Sequence, residues 1–208
     1  MIEVRRAEVE DLDDLADVLG AAFADYPWTR WTVDGRDHVR RITALQRLAL
    51  EHLGLPYGDV WIATVDDVIQ SVAVWMDSAV TIPDSATAAI AAEQAGLEGD
   101  RHAASAEAEA QTQSMRPEGR HYCLAAVATL PSAQRQGLAT RVIAPGLAHS
   151  EAAGLTAYLE TSAETNVQFY EDNGFEVTCY QRIAGDGPPV WAMTRDPPRR
   201  HDLREASG

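Results

Sequence analysis

The feature that most limits the fold of this chain is an apolar strand that stops at a proline and leads into a helix. The strand runs to Thr129, Pro131 interrupts it, and after a polar turn the helix begins at Leu138. The free N–H groups and the dipole of a helix N-terminus attract an anion. Gly137 and Ala139 lack bulk, and arginines on both sides make the turn cationic. We therefore predict that the turn can bind a pyrophosphate.

The turn by itself also has simpler interpretations. Any strand-to-helix turn can contain glycine and small residues without binding a ligand. A dinucleotide-binding fold is disfavoured, because the run from Gly137 to Thr140 is not G-x-G-x-x-G and comes late in the chain. A P-loop is excluded since it needs a lysine, and all 17 basic residues of this chain are arginine.

A second informative segment follows about thirty positions later, as a strand, a short helix and a glycine stop. Thr165 or Asn166 can cap the helix, and Gly174 suits a left-handed exit. Asn166 and Tyr170 are four positions apart, so both side chains lie on one helix face and can reach a common ligand. The alternative is that Phe169 and Tyr170 are core aromatics of an amphipathic helix.

Composition excludes several classes of function. The chain has 208 residues, 46% of them apolar, and a formal net charge of -15. This charge repels phosphate backbones and anionic lipid, so we expect neither a nucleic-acid nor a membrane partner. Cys123 and Cys179 have no neighbouring thiol or histidine cluster, and we expect buried free thiols and no metal site. Because no long apolar run is present, we expect a cytoplasmic protein.

The hydrophobic pattern predicts one domain over 1–196, with an alanine-rich helical insertion over about 82–116 and a tail over 197–208 that frays. An aromatic loop should follow the first helix, and Gly54 should end the second. The predicted strands cover 2–7, 59–65, 68–75, 121–129, 155–161, 175–183 and 190–195, and the predicted helices outside the insertion cover 11–24, 39–53, 138–153 and 166–173.

The pattern [QR]-x-x-G-x-[GA] is met by Gln134, Gly137 and Ala139. With its position after the fourth strand, it resembles the GNAT acetyltransferase superfamily. This resemblance implies an α/β (α+β) GNAT fold: a mixed, mostly antiparallel sheet of about seven strands flanked by helices. It also implies acetyl-CoA as co-substrate and no metal. The coenzyme contacts so implied are Val127, Ala128, Thr129, Gln134, Arg135, Gln136, Gly137, Leu138, Ala139, Thr140 and Asn166.

The resemblance also implies a catalytic role for Tyr170. It would donate a proton to the departing coenzyme thiolate, and a phenol with an ordinary pKa of about 10 is protonated at pH 7. From its place on the preceding strand, on the opposite face from Leu159, we expect Glu160 to accept a proton from the acceptor amine directly or through water. Glu160 can equally be a surface glutamate.

Several segments, among them Val60-Trp61 and Leu159-Glu160-Thr161-Ser162-Ala163, are similar to puromycin N-acetyltransferases. This similarity implies a small-molecule amine acceptor such as puromycin or a related aminonucleoside, and an antibiotic-modifying role. An α-amine with a pKa near 8 loses its proton more easily than a lysine amine near 10.4. The side chains expected to bind the acceptor by stacking are Phe23, Tyr26, Trp28 and Trp31.

Two other functions stay open on the sequence. One is an acyl-CoA-binding sensor that has lost turnover, and the other is an acetyltransferase acting on peptide or protein N-termini. The oligomeric state is open as well, with a homodimer as one candidate.

Overall fold

A computed structural model describes residues 1–198 of the chain. Its centre is one seven-stranded sheet in the order β1-β2-β3-β4-β5-β7-β6, and only the β4–β5 pair is parallel. The predicted mixed, mostly antiparallel sheet is thus confirmed. The strands are β1 (Ile2–Arg6), β2 (Asp59–Val65), β3 (Val68–Asp77), β4 (His121–Thr129), β5 (Thr156–Thr161), β6 (Glu176–Arg182) and β7 (Pro189–Arg195).

Eight helices surround the sheet in the described part of the chain. They are α1 (Leu12–Phe23), α2 (Pro27–Thr32), α3 (His38–Ala49), α4 (Leu55–Tyr57), α5 (Asp84–Glu98), α6 (His102–Thr112), α7 (Leu138–Ala153) and α8 (Val167–Asp172). The two predicted helices of the insertion are α5 and α6. The predicted helix over 138–153 coincides with α7.

Two local predictions are wrong. The aromatic segment after α1 is not a loop, because Pro27 occupies the first turn of α2, where its fixed φ favours a helix. Gly54 does not end the second helix either. The chain continues from α3 through a π-helical turn, Leu50–Gly54, into α4. Gly54 has helical φ and ψ, so it does not adopt the left-handed conformation that a glycine at a helix end often supplies.

The sheet separates two layers of helices. Strand side chains alternate between faces, so Ala73 and Trp75 contact α7 on one face while Val72 and Val74 pack against α1 on the other. The sheet face that packs against α1 also carries a third hydrophobic cluster, in which Tyr158 packs with residues of the insertion. The insertion therefore covers the part of this face formed by β5 and β7.

Polar contacts hold the insertion together and connect it to α3. The buried Glu98 carboxylate accepts hydrogen bonds from Gln94 (2.9 Å) and Ser105 (2.8 Å) and lies 2.6 Å from His102 Nδ1. Arg41 Nη1 of α3 donates to the carbonyl oxygens of residues 96 and 97, each at 2.7 Å. These bonds satisfy the polar groups at the turn between α5 and α6. The predicted single domain over 1–196 stays a prediction, and residues 199–208 of the expected tail lie outside the described residues.

Candidate active site

The site begins where β4 and β5 separate. Their parallel pairing ends at Cys123 and Tyr158. Just beyond, β4 pairs with β3 through Leu124 and then Ala126, so Ala125 is the extra residue of a β-bulge. A bulge bends its strand and increases the local twist. The sheet therefore splits between β4 and β5, and a cleft lies on each side of the split.

The first cleft has a volume of about 770 Å³ and contains the turn before α7. Arg135 and Gly137 both have left-handed φ, 61° and 75°. The first hydrogen bond of α7 runs from Arg141 N to the carbonyl of Gly137 (3.2 Å), so the amides of residues 138–140 have no partner inside the helix. A Cβ built on Gly137 meets nothing within 4 Å. The turn is thus an open cradle of N–H donors at a helix N-terminus.

This cradle suits a diphosphate. Successive amides in a left-handed turn converge on an anion, and the helix dipole and two exposed arginines have the matching sign. We call the first cleft the coenzyme cleft. Of the residues predicted to contact the coenzyme, those that line it are Val127, Ala128, Thr129, Gln134, Arg135, Gly137, Leu138, Ala139, Thr140 and Asn166. Gln136 lies in the turn with its side chain in solvent, and does not line the cleft.

The second cleft, of about 490 Å³, lies on the insertion side of the split. Three of the residues expected to bind the acceptor, Phe23, Tyr26 and Trp28, line this cleft, and their role in binding stays a prediction. Trp31 does not line it: the Arg101 guanidinium covers its ring, 4.7 Å from the ring centroid. We call this second cleft the acceptor cleft.

The insertion supplies polar residues to the acceptor cleft that the sequence interpretation missed, namely Glu109, Thr112 and Arg116. The segment resembles an alanine-rich spacer, and no local motif distinguishes these residues from exposed polar side chains. Burial, followed by the charge of Glu98, raises the pKa of Glu109. The cleft therefore contains carboxylates from two elements, since Glu160 of β5 also lines it.

Tyr170 lies where the two clefts meet, and so does Asn166. The Tyr170 ring packs edge-on against Phe169 and Phe175. Only 6% of the residue is exposed, and among residues 1–198 its hydroxyl has no hydrogen-bond partner. Burial, with a smaller contribution from Tyr26, raises its pKa well above the ordinary value. The junction therefore holds a protonated phenol with an available O–H.

Tyr26 also lines both clefts, and its side chain reaches from the end of α1 to the end of β5. That oxygen accepts a hydrogen bond from the Ser162 amide (2.6 Å) and lies 3.1 Å from Thr161 Oγ1. The turn between α1 and α2 is thereby tied to the end of β5. The sequence indicated a stacking role for this side chain and gave no sign of the cross-cleft bond.

Glu160 is held by two neighbours at the wall of the acceptor cleft. The Tyr158 hydroxyl donates to Glu160 Oε1 at 2.8 Å, and Arg116 Nε lies 3.7 Å from the same oxygen. The side chain is 24% exposed. The second carboxylate oxygen has no hydrogen-bond partner among the described residues and is available to a ligand.

Cys123 lies close to this carboxylate but is a poor nucleophile. Burial and the charge of Glu160 raise the pKa of its thiol to about 12, so the thiolate is scarce at neutral pH. Both cysteines are free, as predicted, although they are half-buried and not fully buried. Within residues 1–198 no group of three His, Cys, Asp or Glu side chains could hold a metal ion. The described helices include none that is long and apolar enough to span a bilayer.

Comparison with known proteins agrees with this arrangement. The family model of the acetyltransferase (GNAT) domain matches residues 99–177. A crystal structure described as histone acetyltransferase HPA2 and related acetyltransferase, from Corynebacterium glutamicum, is 26% identical and covers 95% of this chain and 97% of its own, with a TM-score of 0.73.

Two further structures share the fold at lower identity. Drosophila melanogaster polyamine N-acetyltransferase is 15% identical, with 94% and 100% of the two chains covered and a TM-score of 0.60. The PaiA N-acetyltransferase of Thermoplasma acidophilum, solved with coenzyme A, is 13% identical, with 94% and 99% covered and a TM-score of 0.55.

The fold and the split sheet are those of the GNAT acetyltransferases that this chain resembles. The family match and the solved structures support the GNAT acetyltransferase superfamily for this chain, and it is an enzyme of the N-acetyltransferase type. The family uses acetyl-CoA, and the Thermoplasma acidophilum neighbour was solved with coenzyme A. Binding of acetyl-CoA in the coenzyme cleft of this chain stays a prediction. The narrower similarity to puromycin N-acetyltransferases is not shown by these matches and stays a prediction.

Proposed function

We propose that this protein transfers the acetyl group of acetyl-CoA to the primary amine of a small molecule, directly between two ligands bound together. The observation that carries the proposal is the meeting of the two clefts at Tyr170. One cleft ends in an anion cradle, and the other contains carboxylates and aromatic rings. Two ligands in these clefts would contact each other at the split between β4 and β5, which replaces a chance encounter by a fixed geometry.

The coenzyme would be held by the turn before α7. The amides of residues 138–140 donate to the diphosphate, and Arg135 adds charge beside them. The main chain of Val127–Thr129 faces the cleft on the side that β5 leaves unpaired, and its N–H groups can line the pantetheine arm and polarise a carbonyl. When bound, acetyl-CoA supplies an activated acetyl thioester. Asn166 contributes a further polar contact at the junction.

Two side chains would move protons on opposite sides of the junction. Glu160, through its free carboxylate oxygen, accepts the proton of the acceptor ammonium. Tyr170 donates its O–H toward the sulfur as charge develops there, and its raised pKa keeps the phenol protonated until that point. The second proton that the nitrogen loses when the amide forms then restores the phenol. Because the thiolate of Cys123 is scarce, we propose no acyl-enzyme. A Cys123→Ser variant is therefore expected to keep most of its turnover, and loss of turnover in a folded variant would reopen covalent catalysis.

The acceptor we propose is an amine attached to an aromatic or nucleoside-like group, with puromycin as the first compound to test. Trp28, Phe23 and Tyr26 offer ring faces and edges for stacking, while Glu109 and Glu160 attract an ammonium ion. An antibiotic-modifying role, a cytoplasmic location and a homodimer are further predictions that accompany this proposal.

A thiol-release screen tests the proposal. The purified protein is incubated with acetyl-CoA and a panel of aminonucleosides, amino-acid derivatives, aminoglycosides, polyamines and short peptides, and free coenzyme A is measured. We expect acceptor-dependent release with small amines carrying an aromatic group. Release only with peptides would instead indicate an N-terminal acetyltransferase. Tight binding of acetyl-CoA without release against any amine would indicate a sensor and overturn the proposal.

A further inference from the structure

The contacts around Glu160 come from two elements that are distant in sequence. Tyr158 and Glu160 are two positions apart on β5, so both side chains lie on the face of the sheet that the insertion covers. Tyr158 is also the last residue of β5 that pairs with β4. Its ring is fully buried, which leaves the hydroxyl little freedom to move away from the carboxylate.

Arg116 approaches the same carboxylate from the end of the insertion. It follows Met115, whose side chain is buried in the same cluster as Tyr158 and Ala108 of α6. The arginine side chain is 56% exposed and its contact with Glu160 is 3.7 Å long. An exposed ion pair of this kind contributes little to stability, whereas a hydrogen bond to a charged group contributes more. Tyr158 is therefore the stronger of the two contacts.

We infer that Tyr158 is a positioning residue for the proton-accepting carboxylate of Glu160, and that Arg116 of the insertion assists it. This inference rests on the proposed function. Both contacts engage Oε1 and leave the other carboxylate oxygen directed to the acceptor. The insertion is then part of the machinery that prepares the acceptor amine, in addition to enclosing it.

Other charged and titratable groups near Glu160 are consistent with this role. Cys123 of β4 stays a neutral thiol, so it adds no competing negative charge. Glu109 of α6 lines the same cleft, and the positive charge of Arg116 favours its ionised form as well. Burial and the adjacent carboxylate raise the pKa of Tyr158, so its hydroxyl remains a donor over the working pH range.

The test compares the pH dependence of kcat/KM in four proteins: wild type, Tyr158→Phe, Arg116→Gln and Glu160→Gln. Removing a donor to a carboxylate disfavours its ionised form, so the acid limb should move to higher pH in Tyr158→Phe and by less in Arg116→Gln. We expect kcat to fall roughly tenfold in the first and a few-fold in the second, with the acceptor KM changing less. In the Glu160→Gln background, Tyr158→Phe should cause no further fall.

Matched controls separate positioning from general destabilisation. Tyr180→Phe removes the hydroxyl of an exposed tyrosine on β6, and Arg40→Gln removes an exposed arginine on α3. Both should leave the pH profile and the melting temperature as in wild type. An unmoved acid limb in Tyr158→Phe, together with a changed profile in Glu160→Gln, would overturn the inference and leave the proposed function standing.

A second readout does not depend on turnover. Carboxyl ¹³C NMR of glutamate-labelled protein follows Glu160, assigned by the signal missing in Glu160→Gln. Its titration midpoint should rise in Tyr158→Phe and stay in place in Tyr180→Phe. If no amine is acetylated by the wild type, the proposed function fails, while this titration still decides whether Tyr158 controls the carboxylate.

Discussion

Replacing Tyr170 by phenylalanine separates the stability of the fold from the chemistry of the site. The substitution removes one oxygen and keeps the ring that packs on Phe169 and Phe175. The hydroxyl has no hydrogen-bond partner within residues 1–198, so the folded state gains nothing from a hydrogen bond at this position. It is also not one of the buried polar atoms that lack a partner, so water in the clefts can reach it. A hydroxyl that water can bind has little desolvation cost to recover, and the free energy of unfolding should therefore change by less than about 1 kcal/mol.

Turnover, unlike stability, should fall steeply in Tyr170→Phe. A positioned general acid contributes about 100-fold to 10,000-fold to a rate, which corresponds to about 2.7–5.4 kcal/mol of activation free energy. The hydroxyl acts on charge that develops only in the transition state, so kcat and kcat/KM should fall together. Coenzyme affinity should change little, because the hydroxyl is not one of the main-chain donors proposed to hold the diphosphate.

Three measurements check this prediction: urea unfolding, calorimetric titration with coenzyme A, and thiol release at saturating amine. Tyr180→Phe serves as the control, since its hydroxyl has no partner among the described residues and lies outside both clefts. Unchanged kcat would remove Tyr170 from the mechanism. A large drop in unfolding free energy would contradict the structural argument, because it would show that the hydroxyl is satisfied in the folded protein.

Three further predictions concern the turn, the core and an ion pair. Gly137→Ala should lower the unfolding free energy by about 1–2 kcal/mol through left-handed strain, and its new Cβ should raise the coenzyme Kd about tenfold in calorimetry. Gly146→Ala should destabilise by about 1–3 kcal/mol in urea unfolding, since a Cβ there would lie 2.2 Å from the Trp75 ring. Arg5 donates two hydrogen bonds to Asp11, at 2.7 and 2.8 Å, and holds the pKa of that carboxyl below its ordinary value of 3.8. Asp11→Asn should therefore lower the free energy of unfolding by about 1 kcal/mol at pH 7, and by progressively less as the pH falls below 3.8. An unchanged coenzyme Kd in Gly137→Ala, unchanged stability in Gly146→Ala, or a pH-independent difference for Asp11→Asn would contradict the respective argument.

Much of the framework could be predicted from the sequence, because it depends on local order. The strand over 121–129 and the helix over 138–153 have the bounds expected from their apolar patterns. The hairpin turn at Asp66-Asp67 follows from two residues that tolerate positive φ, and both adopt it. The anion cradle is local as well, since a glycine before a helix N-terminus determines both its shape and its donors.

Other features of the site depend on contacts between segments that are distant in sequence, and local sequence patterns do not predict such contacts. Polar residues such as Glu109 and Arg116 look like solvent-exposed side chains in an alanine-rich stretch, and they become cleft residues only because α6 packs over β5. Trp31 looked like a cleft aromatic, but its ring is covered by Arg101, a residue 70 positions away. Ser162 and Thr161, which contact the Tyr26 hydroxyl, likewise lie on the opposite side of the split sheet.

The sequence by itself determined the strands, the longer helices and the strand-to-helix turn before α7, although not α2 or the end of the second helix, because periodicity and turn chemistry act over a few residues. Tertiary structure alone decided which side chains share a cleft. The bulge at Ala125 and the end of pairing at Cys123 and Tyr158 open the sheet at one point. Packing of the insertion then encloses one side of that opening. Both depend on the long-range register of strands and helices, which the order of residues within one segment does not encode.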